Sequence, residues 1–188
     1  MPCPQGRATN SEISITMVNS MRTFEQMKTE FYFAYGSNLN EADWEVRTGL
    51  QFGKAFQKCS LAYLPDACLG FTRHSAGAGG GVLDIVSAPG SIVSGQIYRI
   101  KNRDALNALD RKEGEPFCYR RVEREVFTPT GKLVSVFTYK AVEQAGYIKP
   151  HANYVKTVAV GLRNDMHHLK RTLCESVAQC FRRAIRFF

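Results

Sequence analysis

The stretch Phe31-Tyr32-Phe33-Ala34-Tyr35-Gly36-Ser37-Asn38-Leu39 decides how the rest of the chain is read. Residues 31–35 are apolar or aromatic, the composition of a buried or half-buried strand. Gly36 breaks the run and admits backbone geometry that other residues avoid. Ser37, Asn38 and Asn40 are good helix N-caps, and Glu41 and Asp43 place acidic charge in the first turn of a helix predicted over about 39–48. A strand turning through glycine into a helix N-terminus leaves backbone N–H groups without intrahelical partners, and such a junction can hold a carboxylate or another anion. An ordinary strand–helix connection containing a glycine fits the same residues.

Outward from this junction, Gly49 stops the helix. A strand is expected over Ala55–Leu64, ending at Pro65-Asp66. The segment Arg73–Gly81 is too glycine-rich for regular structure and reads as a mobile loop. Val82–Val86 and Ile92–Ile100 read as two strands joined by a hairpin connection at Ser87-Ala88-Pro89-Gly90-Ser91. Asn102 caps a short helix ending near Leu109, which runs into Asp110-Arg111-Lys112-Glu113-Gly114. Tyr119–Phe127 and Leu133–Tyr139 alternate as strands around Thr128-Pro129-Thr130-Gly131. Pro150 opens a helical segment over Asn153–Gly161, and Leu169, Leu173, Val177 and Cys180 recur at helical spacing in Met166–Phe188. Strands with short inserted helices, without strict alternation, argue against a doubly wound parallel sheet and predict an α+β fold built on a strongly curved, mostly antiparallel sheet or a small barrel.

A chain of 188 residues with 44% hydrophobic content suits one domain with a real core. The expected organisation is a poorly ordered extension over residues 1–29, a domain over 30–162 and a basic helical tail over 163–188. Met21 and Met27 precede the first strand and offer alternative translation starts. No stretch approaches the roughly 18 apolar residues that cross a bilayer, and residues 1–30 lack the apolar core of a secretory signal. Six cysteines without a C-x-x-C pair read as reduced thiols, so a cytoplasmic protein is expected. Net charge is +8, of which seven Lys and Arg against two acids place +5 beyond residue 150. Such a tail attracts acidic partners or nucleic acid, or is simply a solvated helix face.

Glu113 is the most informative carboxylate. It lies at a helix end before glycine, where the negative end of the helix dipole and partial burial both raise a carboxyl pKa towards a general acid/base. Solvation beside Arg111 and Lys112 is the alternative. His167, His168, Cys174 and Cys180 match no closed zinc spacing, so no metal is expected. Ser37 with His74 or His151 would need a nucleophile elbow that its neighbours do not form. Cys118 reads as a core residue, and Gly77–Gly81 lacks the Gly-Lys-Ser/Thr of a phosphate loop.

Tyr35-Gly36-Ser37-Asn38-Leu39, followed about 75 residues later by Leu109-Asp110-x-x-Glu113-Gly114 and then Tyr119-Arg120, resembles the signature of the γ-glutamylcyclotransferase-like family. Gly80-Gly81 before a strand, the Ser-Ala-Pro-Gly connection, Gly95, Pro150 and Tyr154 extend the resemblance over residues 31–160. It implies a small mixed fold with a β-barrel core and one cavity. It also implies internal aminolysis of a γ-glutamyl group, releasing 5-oxoproline without a metal or organic cofactor. On this resemblance Glu113 is the catalytic acid/base, and Tyr35, Gly36, Ser37, Asn38, Leu39, Tyr119 and Tyr154 bind substrate. The implied partners are a small γ-glutamyl substrate and a second copy of the chain in a homodimer, with no membrane and no nucleic acid. A non-enzymatic small-ligand module on the same scaffold is the alternative, and a basic tail docking on an acidic partner or nucleic acid ranks last, because the tail has no aromatic interleaving of the kind single-strand binders use.

Overall fold

In the computed structural model, which describes residues 31–165, the aromatic run at Phe31–Ala34 forms strand β1. Phe33 and Ala34 point to opposite faces of the sheet and are both fully buried, so β1 is covered on both faces, which is why its sequence is apolar throughout rather than alternating. After a 3-10 turn at Ser37–Leu39 come helix α1 (Glu41–Thr48), the short α2 (Phe52–Ala55), and strands β2 (Phe56–Ser75) and β3 (Gly80–Ile100). Helix α3 (Arg103–Glu113), strands β4 (Tyr119–Phe127) and β5 (Leu133–Ala141), and helix α4 (Ala152–Asp165) complete the order. The strands close a barrel in the order β1-β3-β2-β4-β5, antiparallel except where β1 meets β5 in parallel at Tyr32 and Phe137. This is the expected mixed fold with a barrel core.

The helix signals hold in detail. Asn40, of the three candidate caps, accepts a hydrogen bond from the Asp43 N–H at 3.1 Å, and Gly49 ends α1 in the left-handed region at φ 70°. Asn102 caps α3 by accepting from the Ala105 N–H at 2.8 Å, but the helix runs past Leu109 to Glu113. Trp44 of α1, fully buried, packs edge-on against Phe56 at 4.6 Å between ring centroids and so anchors the junction to the barrel.

The middle of the chain corrects the sequence reading. β2 does not stop at Pro65-Asp66, and residues 87–91 are not a hairpin. Both flanks of that segment pair with β2, Val86 with Cys68 and Ile92 with Pro65, so the two expected strands are one strand with an irregularity in it. Proline is tolerated at such a bulge, where the ladder needs no N–H, and Asp66 (φ 54°) accepts from the Gly90 N–H at 2.8 Å across it. The glycine-rich segment is likewise ordered as structure rather than loop. Arg73–Ser75 end β2, a 3-10 turn spans Ala76–Ala78, and Gly80 and Gly81 pair with Ser75 and His74. A Cβ on Gly81 would lie 2.1 Å from the Ile148 carbonyl oxygen, so glycine here admits the 148–150 segment against the sheet.

Helix α4 packs on the 3-10 turn. A Cβ on Gly161 would stand 2.6 Å from the Asn40 nitrogen, and the Asn40 side chain donates to the Thr157 carbonyl at 2.9 Å. The expected extension over residues 1–29, the Met166–Phe188 helix, and His167, His168, Cys174 and Cys180 lie outside the described residues. Among the described residues no helix is long and apolar enough to cross a membrane, and Cys59, Cys68 and Cys118 are free thiols.

Candidate active site

The 3-10 turn after β1, the end of α3 and the β2–β3 turn surround one cavity of about 460 Å³. Glu113 is the last residue of α3, and Gly114 beyond it adopts φ 68° as the helix cap. That cap turns the chain away, so the Glu113 side chain enters the cavity, where Asn38 Nδ2 donates to its Oε1 at 2.6 Å. Two motifs lying 75 residues apart thus meet through one hydrogen bond.

Every polar atom of the Asn38 side chain is used. Nδ2 donates to Glu113 and, at 2.7 Å, to the Tyr32 hydroxyl, while Oδ1 accepts from Lys112 Nζ at 2.5 Å. Lys112 also reaches Ser37 Oγ and Asp43 Oδ2, each at 3.4 Å, and its side chain is only 7% exposed. This corrects the alternative reading of Glu113 as a carboxylate solvated beside Arg111 and Lys112. Among the described residues the partner of Ser37 Oγ is this ammonium group and not a histidine, so no Ser–His pair forms.

Burial pushes the Glu113 carboxyl above its ordinary range. The Lys112 ammonium, the Asn38 hydrogen bond and the Arg73 guanidinium pull it back down, and Asp110 adds to the upward push. Burial likewise raises the hydroxyls of Tyr32, Tyr35, Tyr119, Tyr139 and Tyr154, so these stay protonated at neutral pH.

The seven expected binding residues divide by where they sit. Tyr35, Gly36, Ser37, Asn38, Tyr119 and Tyr154 line the cavity. Leu39 does not: its side chain is buried in the core and its N–H donates to the Gly36 carbonyl at 3.1 Å. The N–H groups of Gly36, Ser37 and Asn38 have no backbone acceptor among the described residues. Tyr35 and Tyr119 spend their hydroxyl protons on the carbonyls of Tyr139 (2.7 Å) and Leu83 (2.8 Å) and act as fixed walls. Tyr154 instead accepts from the Leu83 N–H at 3.0 Å, which leaves its proton free to donate.

Sequence reasoning missed Tyr32, Lys112, Asp43 and Arg73 as cavity residues. Tyr32 lies within the deciding stretch and three residues from Tyr35, so strand alternation alone did not mark it. Arg73 fell in the segment read as a loop. Asp110 lies just outside the cavity lining. It accepts from Tyr139 Oη and pairs with Arg121 Nη2, each at 2.5 Å, and so ties α3 to β4 and β5 behind Glu113.

Known proteins share this arrangement of chain and fold. A family model described as Gamma-glutamyl cyclotransferase, AIG2-like matches residues 32–156. A gamma-glutamylcyclotransferase of Homo sapiens is 30% identical over 139 residues, spanning 71% of this chain and 70% of the relative. That of Mus musculus is 27% identical over 146 residues, spanning 75% and 74%. A solved structure of a gamma-glutamyl cyclotransferase superposes with a TM-score of 0.65 at 26% identity, covering 76% of this chain and 85% of the other.

Proposed function

Since this chain belongs to the gamma-glutamyl cyclotransferase, AIG2-like family, we propose that it is an enzyme releasing 5-oxoproline from a γ-glutamyl amino acid or amine, with Glu113 as the acid/base. The observation that carries the reading is the Glu113 carboxylate inside the cavity, hydrogen-bonded to Asn38 at 2.6 Å and raised in pKa by burial.

The α-amine nitrogen of the glutamyl unit attacks the γ-carbonyl carbon of the same unit. One C–N bond forms, the amide C–N bond breaks, and the amine proton passes to Glu113 and on to the departing nitrogen. A single carboxyl with a raised pKa can perform both transfers. Attack within one molecule means that a pocket folding the glutamyl chain supplies much of the rate. The unoccupied N–H groups of Gly36, Ser37 and Asn38 suit the α-carboxylate or the developing oxyanion, and the free Tyr154 hydroxyl suits a substrate oxygen. No step calls on a metal or an organic cofactor.

The test is 5-oxoproline release from γ-glutamyl dipeptides and γ-glutamyl-amines by the parent protein and by Glu113→Gln. The variant is expected to lose about 10²–10⁴-fold in rate while keeping its circular dichroism spectrum. Release unaffected by the substitution sinks the mechanism, and no release from any substrate returns the cavity to the ligand-binding alternative.

A further inference from the structure

The cavity holds more positive charge than this chemistry uses. Arg47, Arg73, Arg111 and Lys112 line it against only two carboxylates, Asp43 and Glu113. Asp43 already serves two of the cations, Arg47 Nε at 2.9 Å and Lys112 Nζ at 3.4 Å. Among the described residues neither Arg73 nor Arg111 has a carboxylate partner.

Arg73 is a positioned group. A register shift between Phe71 and Arg73 adds one residue to β2 and turns Arg73, opposite Val82, to the cavity. Its guanidinium lies over the Tyr119 ring, 5.3 Å from the centroid, and that ring is pinned by its hydroxyl to the Leu83 carbonyl. Arg73 is half-buried, so part of its hydration is lost, and among the described residues no carboxylate pairs with it directly; Glu113 feels its charge only at longer range. Arg111, exposed on the last turn of α3, extends the same charge to the cavity mouth. On the cyclotransferase reading Asn38, Glu113 and the junction N–H groups take the glutamyl unit, which leaves the arginines of the same cavity to whatever departs from it.

Two unpartnered guanidinium groups match two carboxylates on the departing amino acid. Building on the cyclotransferase reading, we propose that the cavity selects γ-glutamyl compounds whose leaving group is an acidic amino acid, with Arg73 and Arg111 binding its α- and side-chain carboxylates. Planar guanidinium groups suit this task because they grip carboxylates through paired N–H donors.

γ-Glutamyl-glutamate and γ-glutamyl-glutamine differ by one charge at nearly constant shape, and calorimetry on the Glu113→Gln protein compares their affinities without turnover. The acidic dipeptide is expected to bind about tenfold tighter, the difference one charge-assisted contact makes. Substituting the arginine that holds the side-chain carboxylate by Gln should bring the two within about twofold, and substituting the one that holds the α-carboxylate, common to both dipeptides, should weaken both alike; Arg111→Gln, at an exposed position, should not disturb the fold. Equal affinities in the protein that keeps both arginines, binding of neither dipeptide, or a preference that survives both arginine substitutions overturns the proposal. Should Arg73→Gln not fold, an Arg111→Gln protein that changes neither the preference nor the affinity for either dipeptide overturns it. 5-Oxoproline release by the parent protein is followed in parallel. A charge preference in binding without release would sink the cyclotransferase reading alone, whereas release with no charge preference would sink only this one.

Discussion

Asn38 is the residue on which the site turns, because its amide has three partners and one workable orientation. With Lys112 on Oδ1, the two N–H bonds must point to Tyr32 and Glu113; reversed, the amide would face ammonium with NH₂ and carboxylate with oxygen. Lys112 therefore acts on Glu113 twice, as a nearby positive charge and as the group that fixes Asn38. Both effects lower the carboxyl pKa against the upward push of burial. In the proposed mechanism Glu113 accepts the amine proton as a carboxylate, so the acid limb of the kcat/KM profile is expected above the ordinary glutamate value of about 4.3. Lys112→Met removes the cation and should move that limb to still higher pH. A limb that stays in place or moves down would show that the pair is not coupled as the geometry requires. At this scale the motifs brought Glu113 and Asn38 to one site, and both line the cavity. The sequence was not readable for Lys112, since lysine is a surface residue by type and only the fold puts it under Asp43 and Asn38. Leu39 failed in the opposite sense: it belongs to the motif, yet it faces the core.

Among the elements, α4 bears on the site from behind. Its Gly161 is where the helix meets the backbone of Leu39 and Asn40, and no side chain fits between them. Gly161→Ala should cost about 1–3 kcal/mol in denaturant unfolding through overpacking, and should weaken 5-oxoproline release by displacing the 3-10 turn. A fully active, equally stable variant would mean that the turn does not rest on this contact. The same scale explains the main error of the sequence reading. Pro65-Asp66 and Ser87–Ser91 carry turn chemistry, and a turn reverses a chain whereas a bulge only jogs it. Which of the two occurs depends on the partner strand, and β2 supplies that partner over 20 residues. The glycines at 80 and 81 misled for a similar reason, being selected by close packing against the 148–150 segment rather than by flexibility. Capping signals, which act within four residues, were all readable: Asn40, Gly49, Asn102 and Gly114 sit where their types predict.

For the molecule as a whole, charge and closure matter most. The net charge of +8 and the cation-lined cavity should draw an anionic substrate, and screening should weaken that draw. The Debye length falls from about 10 Å at 0.1 M salt to about 3 Å at 1 M, so KM for γ-glutamyl-glutamate should rise across that range more steeply than KM for γ-glutamyl-glutamine. Parallel salt curves for the two dipeptides would remove the electrostatic explanation. The barrel itself was foreseeable from the order of strands and helices, but not its closure, because a parallel contact between the first and last strands leaves no local trace.

That closure ties the moment of assembly to the moment of function. Hydrogen bonds span 75 residues from Asn38 to Glu113, 104 from Tyr35 to Tyr139, 105 from Thr138 to Phe33 and 117 from Asn40 to Thr157. A topology this rich in distant contacts must meet most of its loop-closure entropy before those contacts reward it, which places folding in the slow, millisecond-to-second regime of non-local proteins. The Asn38–Glu113 pair forms only when the turn after β1 meets the end of α3, across the whole of β2 and β3. A refolding chain is therefore expected to regain turnover in step with its last tertiary signal, and a partly folded one to have a sheet but no enzyme.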